Sequence, residues 1–336
     1  MNSPTVLITG ASGFIGGHLV TEALKRDTHV FAAVRATSSK KYLTDPRIKF
    51  AQFDLSSTLQ ITAAIDKITH EPGPIDYVIH NAGLTKSVTE EGYFNANTYN
   101  TKNIISVLTD SGIRLKKFIL VSSLAAYGPG NPVSFEPVKN EHQPEPVTSY
   151  GRSKLLAEQV VMRQSKSPWA IIRPTVVYGP GEKEIFAIFN LINRHIHPVL
   201  VNKNQLLSFI YVKDLARAIM DVTLSGHTGK SYFVSDGNAY KSNAFGEHVK
   251  TCLGKRTLKV NITGKMLNLI AHTLERLYSP SKKFPGLNVA KAKEMNSLNW
   301  LCDTTPLYTD TGFLPQHNLE QGIKETVEWY KREKWL

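Results

Sequence analysis

Residues 5–19 read TVLITGASGFIGGHL, an apolar run followed by glycines spaced GxxGxxG at 10, 13 and 16 and then by the start of an amphipathic stretch. Glycines at this spacing allow a tight strand-to-helix turn and let backbone N–H groups approach a pyrophosphate at the positive end of the helix. Because the glycines lie between a strand-like and a helix-like stretch, the pattern favours a dinucleotide site. The residues expected to contact the cofactor here are Gly10, Ser12, Gly13, Phe14, Ile15 and Gly16.

Short apolar runs alternate with amphipathic stretches throughout the N-terminal half. The predicted strands are Thr5–Thr9, His29–Val34, Ile48–Phe53, Tyr77–His80, Phe118–Ser122 and Ala170–Arg173. Helices are predicted between them, for example over His18–Lys25 and Ser57–Ile68. This alternation predicts right-handed crossovers and an α/β fold, a Rossmann-type doubly wound parallel sheet that binds ligands at the carboxyl ends of its strands.

The alternation stops after Arg173, where Pro174, Gly179, Pro180 and Gly181 mark a loop. Helices are predicted over 184–195, 214–224 and 319–335, and a strand over Ser208–Val212. We therefore predict a dinucleotide-binding domain over residues 1–177 and a smaller, mostly helical substrate lobe over 178–336. Residues 205–235 are expected to return to the sheet.

The composition is that of an ordinary globular protein, with 336 residues, 41% apolar and 20% charged. The longest uncharged runs, Asn2–Thr21 and Phe118–Phe135, contain several glycines or prolines and do not resemble bilayer spans. With no basic leader before the first strand, a cytoplasmic location is expected. Cys252 and Cys302 lie outside any CxxC or Cys/His cluster, so we expect reduced thiols and no metal site.

The net charge of +12 is concentrated in one segment. Between residues 250 and 293 Glu275 is the only acid, and the ten basic residues are Lys250, Lys255, Arg256, Lys259, Lys265, Arg276, Lys282, Lys283, Lys291 and Lys293. Such a face is either merely solvated or attracts phosphorylated ligands, acidic lipid or nucleic acid. Without a zinc finger or an aromatic RNP-type strand, a nucleic-acid partner is not expected.

Closely spaced apolar residues lie within this basic segment. They are Met266, Leu267, Leu269, Ile270, Leu274, Leu277 and Tyr278. The pattern fits a helix packed on the core, a lid over an apolar pocket, or an interfacial helix in weak contact with acidic lipid. Core or lid packing is the favoured interpretation.

The end of the second predicted strand bears on the choice of cofactor. Residues 31–41 read FAAVRATSSKK and offer Arg35, Ser38, Ser39 and Lys40, with no carboxylate. An acid here would bind the ribose 2′-hydroxyl, whereas an arginine accommodates a 2′-phosphate. The sequence therefore favours NADP(H). NAD(H) stays an alternative, because Arg35 could merely stack on the adenine or be solvated.

Tyr150 and Lys154 form a third motif, YGRSK at 150–154. Residues four apart share one face of a helix, and a cation beside a phenol is expected to lower its pKa from about 10 and make it a general acid/base. Ser122 and Ser123 end a strand that should finish over the cofactor.

Together these motifs resemble the extended short-chain dehydrogenase/reductase superfamily, the epimerase/dehydratase-like enzymes, over essentially the whole chain. The matching elements are TGASGFIG at 9–16, Asp54-Leu55, HNAG at 80–83, NTYNTKN at 97–103, VSSLAAYG at 121–128, YGRSK at 150–154, RPTVVYGPG at 173–181 and FIYVKD at 209–214. Asn100 stands where the family usually has glycine, and Lys213 where it often has aspartate. Neither change is expected to abolish activity, and a homodimer is expected by analogy.

The resemblance implies a role for each matching residue. Ser123 would hydrogen-bond the reacting oxygen, Tyr150 would be the general acid/base, Lys154 would tune it and hold the nicotinamide ribose, and Asn97 would place that lysine through water. The remaining cofactor contacts would be Asp54 and Leu55 at the adenine, Asn81, Ala82 and Gly83 along the cofactor, and Pro174, Val176 and Val177 beside the nicotinamide.

Two side chains that related enzymes use on nucleotide sugars are missing from this sequence. No carboxylate follows Ser123, which counts against a nucleotide-sugar dehydratase. Leu206-Leu207-Ser208 replaces the arginine with which nucleotide-sugar epimerases usually meet a diphosphate. The chain is more similar to the 3-beta-hydroxysteroid dehydrogenase-like and dihydroflavonol-reductase-like branch. We therefore predict an NAD(P)-dependent oxidoreductase of an apolar or polycyclic secondary alcohol or ketone.

Two alternatives stay open. One is a nucleotide-sugar epimerase that uses the same Ser/Tyr/Lys set. The other is a non-catalytic dinucleotide-binding module, against which the intact set argues.

Overall fold

A computed structural model describes residues 3–70, 74–201, 204–278 and 286–336. Its centre is a seven-stranded sheet in which each strand pair is parallel. With strands numbered along the chain, the order is β11-β6-β5-β4-β1-β2-β3. The bounds are β1 Thr5–Thr9, β2 His29–Val34, β3 Lys49–Gln52, β4 Tyr77–His80, β5 Lys117–Val121, β6 Trp169–Pro174 and β11 Lys230–Val234. This arrangement confirms the predicted Rossmann-type sheet.

Helices cover both faces of the sheet. Their bounds are α1 Phe14–Lys25, α2 Thr58–His70, α3 Glu90–Phe94, α4 Asn100–Asp110, α5 Ser149–Gln164, α6 Phe186–Asn193, α7 Val212–Leu224, α8 Ala244–Leu253, α9 Gly264–Tyr278, α10 Val289–Asn296, α11 Thr305–Thr311 and α12 Leu319–Arg332. One core cluster joins the sheet to α1 and α7, and the other joins it to α2, α4 and α5. Burial on both faces explains why the strands read as continuous apolar runs.

The predicted elements match the observed ones apart from their ends. The largest difference is at α1, which begins at Phe14 rather than at His18, because Gly13 in an extended conformation (φ −78°, ψ 174°) caps it. Gly16 and Gly17 therefore lie inside the helix, ahead of its predicted start at His18.

The second half holds more β structure than its sequence pattern indicates. Besides the predicted strand, β10 Phe209–Tyr211, it contains β7 Val176–Tyr178, β8 Ile196–Leu200, β9 Leu206–Leu207, β12 Tyr240–Lys241, β13 Leu258–Ile262 and β14 Asn299–Trp300. These strands form small ladders: β10 with β7, β12 and β14 with β9, and β13 with β8. β11 lies in the main sheet beside β6. The division of the chain at residue 177 stays a prediction.

Candidate active site

The glycine turn joins β1 to α1 at the carboxyl edge of the sheet. Gly10 has a left-handed conformation (φ +66°), and a Cβ there would lie 2.8 Å from the backbone of Ala82. A Cβ on Gly16 would overlap the carbonyl oxygen of Gly10 and come within 2.8 Å of the Ala11 Cα. The turn is thus as tight as backbone contact allows, which explains why both positions require glycine.

The residues around this turn fit a dinucleotide. The first N–H groups of any α-helix have no intrahelical acceptor. Because no side chain caps the N-terminus of α1 either, its first N–H groups are available to a ligand at the turn. Ser12 and Gly13 are exposed in front of it, and Phe14 packs edge-on against His18. Across the turn, Asn81 donates to the Gly10 carbonyl at 3.4 Å. A pyrophosphate at this position would receive backbone hydrogen bonds and the favourable field of the helix.

Ser123 and Tyr150 meet at the same edge of the sheet. Ser123 follows β5 and caps a short 3-10 turn over Leu124–Ala126, where its hydroxyl oxygen accepts from the Ala125 N–H at 3.1 Å. Tyr150 lies in the first turn of α5, which Thr148 caps by accepting from Gly151 at 3.0 Å. The two side chains lie close enough for the Ser123 hydroxyl to lower the pKa of the Tyr150 phenol. The structure therefore brings together the proposed oxyanion donor and the proposed acid.

The pKa of Tyr150 differs from the sequence-based expectation. Burial raises this pKa above its ordinary value, the hydrogen bond with Ser123 lowers it, and the charges of Glu294 and Glu184 raise it further. The Tyr150 phenol consequently keeps its proton at neutral pH. The Lys154 ammonium donates to the Val121 carbonyl at 2.9 Å, and its role in tuning Tyr150 stays a prediction.

Lys154 lies one turn after Tyr150 on α5 and reaches the end of β4. The Lys154 Nζ and the Asn97 Oδ1 both lie within 3 Å of where a Cβ on Gly83 would be, at 2.9 and 2.8 Å. Burial lowers the pKa of Lys154 to about 8, and the Glu158 carboxylate raises it. Asn97 sits in a single π-helical turn, Asn95–Tyr99, and its carboxamide binds Ser153 and both backbone groups of Leu84. The roles of both residues stay predictions.

Glu158 and Arg173 form a buried ion pair behind the site. The carboxylate of Glu158 binds the Arg173 guanidinium at 2.7 Å and accepts from the Ser122 hydroxyl at 2.5 Å. Arg173 also donates to Asn140 at 2.6 Å and lies over the ring of Tyr127. The pair ties α5 to β5 and β6, the elements that carry the candidate catalytic residues. Sequence analysis missed Glu158, although its position four residues after Lys154 on one helix face could have revealed it.

The other end of the candidate cofactor groove is open to solvent. Arg35 is exposed at the end of β2, and its charge contributes to a lowered pKa of Asp54, after two hydrogen bonds from Ser56. Leu55 packs partly against the core, and its carbonyl accepts from Asn103 at 2.9 Å. The Arg35 and Asp54 charges are thus close enough to interact, and their roles at the cofactor stay predictions.

Apolar side chains reach solvent near the candidate nicotinamide position. Val176 begins β7 just after Pro174 and is 40% exposed, and Val177 packs against the core. Leu84, held by Asn97, is 39% exposed. Tyr93, which sequence analysis did not single out, packs on Tyr150 with ring centroids 6.2 Å apart. The mouth of the site is therefore partly apolar.

Three further observations concern chemistry outside this cluster. Cys252 and Cys302 are free thiols. Over the ranges that the structure describes, no three His, Cys, Asp or Glu side chains are grouped to hold a metal ion. Within those ranges, too, no helix is both long and apolar enough to cross a bilayer.

Comparisons with known proteins assign the family. The model of the NAD dependent epimerase/dehydratase family matches residues 6–234. The chain therefore belongs to that family, and it is an enzyme of the extended short-chain dehydrogenase/reductase type with a nicotinamide adenine dinucleotide cofactor.

Curated relatives come from more than one substrate class. A ceramide reductase of Caulobacter vibrioides is 27% identical, covering 98% of this chain and 96% of its own. A UDP-glucose 4-epimerase of Vibrio cholerae is 26% identical (96% and 94%). A 3-beta-hydroxysteroid dehydrogenase of Mycolicibacterium neoaurum is 24% identical (97% and 91%). The relatives therefore do not decide the substrate class of this chain.

Solved structures share the fold. The UDP-glucose 4-epimerase of Thermotoga maritima with UDP-glucose superimposes with a TM-score of 0.77 at 19% identity, over 98% of this chain and 99% of that one. This likeness supports the architecture alone.

Proposed function

We propose that the protein transfers hydride between NADP(H) and a secondary alcohol or ketone on an apolar or polycyclic molecule. The observation that carries the reaction type is the proximity of the Ser123 and Tyr150 side chains, at the edge of the sheet where the glycine turn opens. When bound, the cofactor supplies or accepts the hydride. The protein supplies the proton and the stabilisation of charge.

In the direction of reduction, Tyr150 gives its proton to the carbonyl oxygen while the Ser123 hydroxyl hydrogen-bonds the same oxygen. The raised pKa of Tyr150 keeps that proton in place before reaction. The Ala125 N–H occupies an acceptor position of the Ser123 oxygen, which leaves the hydroxyl hydrogen free to point at the substrate. Donors fixed in this way stabilise developing negative charge without reorganisation.

Lys154 supports the reaction by positioning the groups that react. One of its three N–H groups is used by the Val121 carbonyl, so two stay available for the ribose hydroxyls of a bound cofactor and for the Tyr150 oxygen. Asn97 holds the loop at Leu84 beside it. Both residues thus act as positioning groups in this proposal.

Two observations support an apolar substrate. Leu84 and Val176 expose apolar surface at the mouth of the site. The position where an epimerase would place a phosphate-binding arginine holds the half-buried Leu206 and Leu207 of β9 and the buried Ser208, which donates to the Trp300 carbonyl at 2.6 Å. The names of the ceramide reductase and hydroxysteroid dehydrogenase relatives agree with this choice. A cytoplasmic location and a homodimer stay predictions.

We expect ketone reduction to decline above about pH 8. The pKa of Lys154 is lowered to about 8, so the ammonium is present below that pH and is lost as pH rises through it. Tyr150, with its raised pKa, stays protonated over the same range. A pH profile of kcat/KM for reduction should therefore be flat below pH 8 and fall above it. A profile that stays flat well beyond pH 9 would contradict this assignment.

Reversing the charge of Arg35 should change the preference between coenzymes. Arg35→Glu is expected to lower kcat/KM for NADPH by about 10- to 100-fold and to change that for NADH much less, because a charge-assisted contact to the 2′-phosphate is lost. Arg114→Glu is the matched control, since Arg114 is exposed in the loop before β5, at the amino edge of the sheet. An equal loss with both coenzymes would show that Arg35 does not read the 2′-phosphate.

The proposed function is tested with purified protein, NADP+ or NAD+, and a panel of hydroxysteroids, long-chain and polycyclic alcohols and nucleotide sugars. Formation of reduced nicotinamide with an apolar alcohol supports it. Conversion of a nucleotide sugar to its epimer without net nicotinamide reduction would assign the epimerase reaction instead.

A further inference from the structure

Helix α9 and strand β13 present an apolar surface to solvent. On α9, Met266, Leu269, Ile270 and Leu277 recur at the spacing of one helix side, and Leu269 and Leu277 are each 69% exposed. Core packing uses the other side of the helix, through Leu267 and Ala271. The helix therefore packs on the core along one side and leaves its other side exposed to solvent.

The apolar surface continues onto β13. Leu258 of β13 is 73% exposed and pairs with Ile196 of β8, which is also exposed. Further along the same strands, Ile262 and Leu200 pack against Leu267. Both elements thus carry exposed apolar residues beside the same small core cluster, and we name Leu258, Val260, Met266, Leu269, Ile270 and Leu277 the α9 face.

Cations border the α9 face. Lys265 and Arg276 lie about three turns apart on α9, on one side of the exposed apolar stripe, and Lys255 and Arg256 precede β13. Within the described part of the chain, none of these four cations takes part in an ion pair, whereas Lys250 and Lys259 both pair with Glu247. Lys282 and Lys283, in the same basic segment, lie outside the described residues.

This surface lies close to the candidate active site. α9 packs on α10 through Leu267, Ala271 and Ala292. The Glu294 carbonyl of α10 accepts from the Trp300 indole at 3.1 Å, and Trp300 packs against Leu124, the residue after Ser123. A series of contacts through α10 and β14 therefore links α9 to the 3-10 turn that Ser123 caps.

We propose that the α9 face docks the enzyme on the surface of an anionic phospholipid bilayer. An exposed apolar stripe with unpaired cations at its border matches such a surface in both of its components, the acyl boundary and the negative headgroups. Exposed leucines in this number have no stabilising contact in water, whereas the acyl boundary of a bilayer would cover them. If the substrate is apolar, as the proposed function states, docking would place the mouth of the active site beside the lipid layer that holds the substrate.

The test is flotation of the full-length protein with vesicles of phosphatidylcholine alone or of phosphatidylcholine with phosphatidylglycerol. We expect binding to the anionic vesicles that weakens with salt. Leu269→Asp/Leu277→Asp and Lys265→Glu/Arg276→Glu should each lower the partition coefficient by about tenfold or more. The matched control is Leu59→Asp/Lys67→Glu on α2, where Leu59 is 80% exposed, and it should bind like the original protein.

Three outcomes would overturn the proposal. The first is that the protein does not bind anionic vesicles, and the second is that the α2 control loses as much vesicle binding as the α9 variants. The third is a concentration-dependent dimer in light scattering that the α9 variants abolish, since a second copy would then cover the α9 face. Turnover of a water-soluble ketone separates this proposal from the proposed function. The α9 variants should keep that turnover, whereas vesicle binding without turnover of any ketone would refute only the proposed function.

Discussion

Replacing Tyr150 with phenylalanine is expected to lower kcat by about 100- to 10,000-fold, the range that a positioned general acid contributes. The phenylalanine ring keeps the packing against Tyr93 but removes the proton that the proposed reaction needs. Cofactor affinity, measured by quenching of protein fluorescence, should stay within a few-fold of the original value, because the glycine turn is untouched.

Tyr93→Phe is the matched control for this substitution. Burial raises the pKa of the Tyr93 phenol and a hydrogen bond with the Ser87 backbone lowers it, so its hydroxyl is used away from the Tyr150 oxygen. This variant should keep kcat within a few-fold. Substantial turnover in Tyr150→Phe would show that another group delivers the proton, and equal losses in both variants would indicate disturbed packing instead.

Adding a single methyl group to α1 is expected to have opposite effects at two adjacent positions. Gly16→Ala forces a Cβ into the backbone of Gly10 and Ala11, which opens the turn, and it should weaken cofactor binding at least about tenfold and destabilise the fold by about 1–3 kcal/mol. Gly17→Ala adds a methyl group in open space, and it should stabilise the helix by up to about 1 kcal/mol.

Thermal unfolding with and without cofactor measures both effects. The shift in Tm that cofactor produces should be nearly absent in Gly16→Ala and unchanged in Gly17→Ala. If Gly16→Ala kept a full cofactor-induced shift, the tightness of the turn would not matter for binding.

What could be predicted from the sequence is mostly local. The glycine turn, the shared helix face of Tyr150 and Lys154 and the buried strands each depend on residues within a few positions of one another, so their patterns are visible in one dimension. The juxtaposition of Ser123 with Tyr150 required the resemblance to a family, because these residues lie on different elements.

The features that could not be predicted from the sequence depend on contacts between segments that are distant in the chain. Burial lowers the pKa of Lys154, and the Lys154 ammonium donates to a carbonyl of β5 that is thirty-three positions away in the chain. β9, β12 and β14 are two residues long and show no periodicity of their own; they exist because they pair with one another. The outer half of α9 could not be distinguished from core, because its apolar pattern is the same whichever side is covered.

The position of β11 at the edge of the main sheet bears on how the chain folds during synthesis. β6 and β11 pair residue by residue, from Ala170 with Lys230 to Pro174 with Val234. Until Lys230–Val234 has left the ribosome, β6 has an unpaired edge, and α7, which covers one face of the sheet, has only just emerged. The nascent chain therefore carries an open sheet through the synthesis of about sixty residues, and slowed translation or premature termination within them would leave that edge free to pair with another chain.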